Sequence, residues 1–194
     1  LLVVGFFSIV ITNFVSLEEN FELLLDNSGP YIGAEFPKQL GFTGNGIRIG
    51  VIDTGINLEH PDFFNSDQLS RFLKGYDFVE NDSIPQDTNG HGTQVTGIIA
   101  ADGQLIGIAP KVEIFSYRVS SDGESVPSDL IIKAINRAVE DRVDIINISL
   151  GVNMTHAKID NAVNNAIDHG IVVVAAAGNS GPDKSTIGSP ARNP

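Results

Sequence analysis

The chain has 194 residues, 42% of them hydrophobic, which is enough for one sizeable core and makes a single folded domain the default. Its 12 basic and 24 acidic side chains give a formal charge of −12, which argues against nucleic acid or an anionic membrane surface as the main partner. There is no cysteine, hence no disulfide framework, thiol nucleophile or cysteine-based zinc site.

Residues 1–16 contain an apolar run too short for a confident membrane span. The run has the length of a signal-peptide core, but it lacks a basic leader and a small-residue cleavage site. A remnant of a signal, an anchor or a preceding domain is expected there. From 17 to 45 the chain reads as loop, with turn clusters at Asn27-Ser28-Gly29-Pro30 and Gly41–Gly46. The Gly44-x-Gly46 pair precedes a strand instead of following one, which discounts a dinucleotide loop.

Ile47–Ile52 is a β-branched run that predicts a buried strand, halted at Asp53-Thr54-Gly55. Phe72–Val79 predicts a second extended stretch. Asn89-Gly90-His91-Gly92-Thr93 then opens a helical pattern, placing an imidazole at a helix start. Histidine has the unperturbed pKa nearest neutrality and is the first candidate for proton transfer. Strands are predicted at Val112–Val119, Ile145–Leu150 and Ile171–Ala177, the last apolar enough for both its faces to be covered. Between them, Leu130–Val139 and Ile159–Ile167 carry helical faces, with Pro127 and Ser128 near the first start and His169-Gly170 at the second end. This alternation predicts an α/β fold, a three-layer α/β/α sandwich on a mostly parallel sheet.

In such a sheet the strand ends share one edge, where ligands bind. Asp53, Ser149-Leu150-Gly151 and Gly178-Asn179 all follow strands, so they can converge with His91 on one crevice. A carboxylate beside an imidazole fixes its tautomer and stabilises the imidazolium, which is the base half of a nucleophilic triad. An asparagine amide beside that pair can donate to a developing oxyanion.

Val51-Ile52-Asp53-Thr54-Gly55-Ile56, Gly90-His91-Gly92-Thr93, Ile148-Ser149-Leu150-Gly151 and Ala175-Ala176-Ala177-Gly178-Asn179 resemble, in order, the signatures of the subtilisin-like serine proteases. The resemblance runs from about Gly29 to Pro194. It implies a serine endopeptidase in which Asp53 orients His91, His91 is general base and then acid, and Asn179 donates to the oxyanion. It further implies that Ser149, Leu150 and Gly151 pair with the substrate backbone and wall the specificity pocket, with Gly123 on a second pairing edge. Glu124 on that edge departs from the family and suggests a preference for basic residues upstream of the cut. Gln94 stands where many relatives have a second histidine.

The family's nucleophile lies in a Gly-Thr-Ser-Met-Ala segment, which does not occur in residues 1–194; Ser149, Ser180, Ser185 and Ser189 lack its context. The expectation is a partial catalytic domain at 27–194, inactive by itself, with the serine beyond residue 194. The alternative is a catalytically inactive binding or regulatory module. Residues 1–26 would then be a signal, anchor or propeptide tail, and the protein would act outside the cytoplasm, secreted or membrane-anchored. A protein or peptide substrate, possible control by an inhibitory propeptide and a monomeric state are also implied.

No cofactor is certain. Calcium is possible through Asp62 in His60-Pro61-Asp62, although Ala100–Gln104 is short for wrapping an ion that takes six to eight oxygens. Asn81, Asn147 and Asn153 match the glycosylation pattern, as short motifs often do by chance. His60, His156 and His169 read as surface residues. Two other hydrolase classes fit poorly: an aspartic protease needs a second Asp-Thr-Gly and an all-β fold, and a helical zinc site needs i, i+4 histidines.

Overall fold

Strand β1 (Arg48–Asp53) carries the expected apolar run and ends one residue later, on the carboxylate of Asp53. Around it the computed structural model, which describes residues 29–64, 72–124, 126–152 and 154–193, builds β2 (Phe72–Asp77), β3 (Glu113–Arg118), β4 (Ile145–Ile148) and β5 (Val172–Ala175). The sheet order is β2-β3-β1-β4-β5, and all four pairings are parallel. The expected boundary at residues 26–27 lies outside the described residues. The described residues fall into a unit that ends at Thr43 and contains the short helix α1 (Glu35–Gln39), and a unit from Gly44 onward that contains the sheet.

Helix α2 (His91–Ala100) packs against β1, whereas α3 (Ser128–Glu140) and α4 (Ala157–Asp168) pack side by side. On α3 the buried residues are Ile131, Ala134, Ile135 and Ala138, and on α4 Ile159, Ala162, Val163 and Ala166. Both sets follow the i, i+3, i+4, i+7 spacing of one helical stripe. They join Ile52, Phe115, Tyr117, Ile146 and Ile148 in one core, while Ile49, Ile114 and Ile56 join Phe63, Ala100 and Val112 in another. Alternate strand residues therefore enter opposite cores, which is the period-2 signature of a sheet sandwiched between layers. Each fully buried isoleucine contributes about 1.5–3 kcal/mol.

Strand β5 is shorter than expected, and its two faces are not alike. It forms one edge of the sheet, and Val172 and Val174 are 58% and 51% exposed. Among the described residues nothing covers that face, so the apolar run there reports hydrophobicity without burial on both sides. Two of the presumed surface histidines have structural work. The ring of His156 accepts the Ile159 amide at the start of α4, and that of His60 accepts the Asp62 amide at the 3-10 turn Pro61–Phe63. His169 closes α4, its Nδ1 2.7 Å from the Asn165 carbonyl.

From β1 the chain runs out to the β2 edge, returns through β3 and crosses to β4 on the far side of β1, so β1 lies where the two directions of winding meet. The crevice outside the carboxyl end of such a strand is where an open α/β sheet binds ligands.

Candidate active site

Asp53 is 1% exposed at the carboxyl end of β1, and its Oδ1 accepts the Thr54 amide at 2.7 Å. The same oxygen lies 2.7 Å from Nδ1 of His91, the first residue of α2. Gly90, at φ 107°, makes the left-handed turn that sets the imidazole there, and the His91 amide donates to Oδ1 of Asn89. The helix start can approach β1 because residue 92 has no side chain: a Cβ on Gly92 would stand 2.2 Å from the Gly55 carbonyl oxygen. With Nδ1 committed to Asp53 and the side chain 49% exposed, the far edge of the imidazole faces the cleft.

Burial is the largest influence on the Asp53 carboxyl and raises its pKa above the ordinary value. The hydrogen bonds from His91 and Thr54 and the His91 charge oppose the rise, and Asp87 adds to it. Its second oxygen, Oδ2, is buried without a hydrogen-bond partner, in keeping with that rise.

The cleft measures about 620 Å³, and its walls include Asp53, His91, Gly123, Glu124, Ser149, Leu150, Gly151 and Asn179. Every site residue read from the sequence therefore borders one space. Asn179 is exposed on the turn after β5, next to Gly178 at φ 89°. Ser149 accepts a 2.9 Å bond from the Asn147 amide, and Asn147 lies within β4. Ser125 and Asn153 lie outside the described residues. Among the described residues no serine hydroxyl is hydrogen-bonded to the His91 ring.

Three contributors escaped the sequence reading. Ser189, 1% exposed, stitches the loop at 186–193 to the wall: its carbonyl accepts the Val152 amide, its amide donates to the Met154 carbonyl, and its hydroxyl accepts the His156 amide. Arg118 at the end of β3 is buried against Asp77. Asp87 collects five donors beside His91, and only its place four residues ahead of the histidine hinted at a role.

At Asp62, the carboxylate through which calcium was considered, backbone amides are close to both oxygens. Its Oδ1 accepts the Gln104 amide at 2.9 Å and its Oδ2 the Leu105 amide at 3.2 Å, which ties the 3-10 turn to the loop after α2. Among the described residues no three metal-ligating side chains come together.

The sequence profile of the Subtilase family matches residues 44–194. The chain belongs to the subtilase family. It is 40% identical over 177 residues to the minor extracellular protease Vpr of Bacillus subtilis (strain 168), covering 86% of this chain and 22% of that one. It is 38% identical over 168 residues to subtilisin DY of Bacillus licheniformis, covering 84% and 59%. Over 149 residues it is also 38% identical to the major intracellular serine protease of Bacillus subtilis (strain 168), covering 73% and 45%. The crystal structure of a cold adapted subtilisin-like serine proteinase superposes with a TM-score of 0.69 at 37% identity, covering 79% of this chain and 54% of that one. This subtilase chain thus spans less than two thirds of each of these relatives.

Proposed function

We propose that the whole protein is a serine endopeptidase and that residues 44–194 supply its base, its oxyanion donor and its substrate-pairing walls. The observation that carries this reading is the 2.7 Å contact between Asp53 and His91 at the rim of a cleft that Asn179 also lines. Asp53 holds Nδ1–H, so the opposite nitrogen is the one free to take a proton from a nucleophile. When the tetrahedral intermediate forms, the Asn179 amide donates to its oxyanion. An extended peptide adds as a strand to the edges at 149–151 and 123–124, with Glu124 favouring a basic side chain upstream of the cut. The nucleophile comes from a serine outside residues 1–194, a reading supported by the shares of the relatives that this chain spans.

The minor extracellular relative and the apolar run at 1–16 support action outside the cytoplasm, with residues 1–26 as a signal, anchor or propeptide tail. Among the described residues no helix is long and apolar enough to cross a membrane.

The test is to express the full reading frame and measure cleavage of a peptide library alongside labelling by a serine-directed fluorophosphonate. Labelling that disappears in His91→Ala, together with cleavage, is the expected result. A full-length protein that neither labels nor cleaves overturns the enzyme in favour of a binding module. Cleavage without a basic preference removes the role of Glu124 alone.

A further inference from the structure

The carboxylate of Asp87 receives five hydrogen bonds. Its Oδ1 accepts the Thr54 hydroxyl at 3.0 Å and the amides of Asn89 and Gly90 at 2.9 Å each. Its Oδ2 accepts the amide of Thr93 at 2.9 Å and the hydroxyl of Thr93 at 2.5 Å. Each threonine oxygen is in turn an acceptor, Thr54 for the Gly92 amide at 2.8 Å and Thr93 for the Asn57 amide at 2.9 Å.

A hydroxyl has one proton to give. Once it is given to Asp87, the lone pairs are left for the backbone amide on the other side. Asp87 therefore sets the direction of two hydroxyls, and each of them ties the start of α2 to the segment after β1. The residues joined in this way flank the working pair: Thr54 follows Asp53, while Gly90 and Gly92 enclose His91. Burial raises the pKa of the Asp87 carboxyl, but the bonds from Gly90, Thr93 and Asn89 outweigh it and hold the group below the ordinary carboxylate value, so it is charged at neutral pH.

We propose that Asp87 is a positioning residue for the Asp53–His91 pair, acting through the hydroxyls of Thr54 and Thr93. Its catalytic consequence rests on the protease reading above; its geometric consequence does not. Asparagine is the informative replacement because it keeps the shape and offers one acceptor and one NH₂. Whichever way it turns, an N–H then faces either the amides of Asn89 and Gly90 or that of Thr93, and part of the network is lost.

The experiment uses the full-length protein and two readouts. In Asp87→Asn, kcat on a peptide anilide is expected to fall about 10–100-fold with KM within about twofold, the scale of a small misplacement of reacting groups. The downfield proton resonance of the His91 Nδ1–H, read without turnover, is expected to shift or broaden. Thr54→Val should reproduce both effects, while Thr54→Ser, which keeps the hydroxyl, should stay within about threefold of the parent. Unchanged kcat and an unchanged resonance in Asp87→Asn, with only a lower melting temperature, overturn the proposal. If Asp87→Asn fails to fold, the two Thr54 variants decide: equal behaviour of serine and valine there overturns it. A parent that does not cleave removes the protease reading and leaves the resonance to judge Asp87.

Discussion

Asp53 and Arg118 are register partners on neighbouring parallel strands, yet each bonds away from the other. Asp53 takes His91, and Arg118 places Nη1 2.6 Å from Oδ2 of Asp77 and Nη2 2.9 Å from the Thr88 hydroxyl. Both members of the Arg118–Asp77 pair are at most 5% exposed. Breaking such a pair from one side leaves an uncompensated buried charge. Arg118→Met is therefore expected to cost about 3–5 kcal/mol in urea unfolding. Asp77→Asn added to it should recover much of the loss, because an amide oxygen can still accept from Val79 and Glu80, whose amides now bond Asp77.

Asp53→Asn separates stability from activity. The raised carboxyl pKa of Asp53 means that the folded state holds a proton more tightly than the unfolded one. The cost of ionising it is thus fully present above the folded pKa and disappears as pH falls toward the unfolded value. The asparagine variant is expected to match or exceed the parent in stability at neutral pH, with its advantage shrinking under acid. In the full-length enzyme kcat should fall about 10⁴-fold, the scale for losing the orienting carboxylate in triads of this kind, subtilisin's included. Denaturant titrations at two pH values and a rate assay check both halves.

Asp87 has the opposite sign. Its carboxyl pKa is lowered, so its contribution to stability is present above the unfolded value and lost as pH falls through the folded one. Unfolding free energy measured from neutral pH downward should fall less steeply in Asp87→Asn than in the parent over that acid window.

Asn179 is exposed and structurally undemanding, so Asn179→Ala should leave melting unchanged. In the full-length enzyme it should lower kcat by about 10²–10³ with little change in KM, a magnitude whose type example is subtilisin itself.

Two glycines on α2 give a matched comparison. Gly97 has no atom within 4 Å of where a Cβ would lie, and Gly97→Ala is expected to stabilise by about 0.5–1 kcal/mol. Gly92→Ala would press a methyl onto the Gly55 carbonyl, costing about 1–3 kcal/mol and moving His91 away from Asp53. Thermal melting and the His91 proton resonance distinguish them.

Strand and helix periodicity made the layers legible, because Ile52, Ile146 and the stripes on α3 and α4 are buried as their spacing implies. The convergence of Asp53, Ser149 and Asn179 was legible from strand ends, and that of His91 from its place at a helix start. The exposure of Val172 and Val174 was not, since an apolar run at a sheet edge looks like one at its centre. Asp87 and Arg118 were hidden for another reason: their partners are brought close by the fold, and a lone charged residue carries no periodicity. Asp62 was read chiefly as a turn residue, and the amides of Gln104 and Leu105 that its oxygens accept are brought near only by the loop geometry.

The central place of β1 has a consequence for how the chain is made. Val51 pairs with Ser116 on one side and Asn147 on the other, and neither partner lies on the next strand of the chain. A growing chain therefore carries Ile49, Val51 and Ile52 of its central strand unpaired until β3 and β4 have left the ribosome. Sheet closure waits on contacts of long sequence separation, which slows folding and prolongs exposure to aggregation. Asp53 and His91 lie within the first half of the chain, but the cleft they border takes its other walls from residues between Ser120 and Ser189, so it is complete only when that later stretch has folded back onto β1.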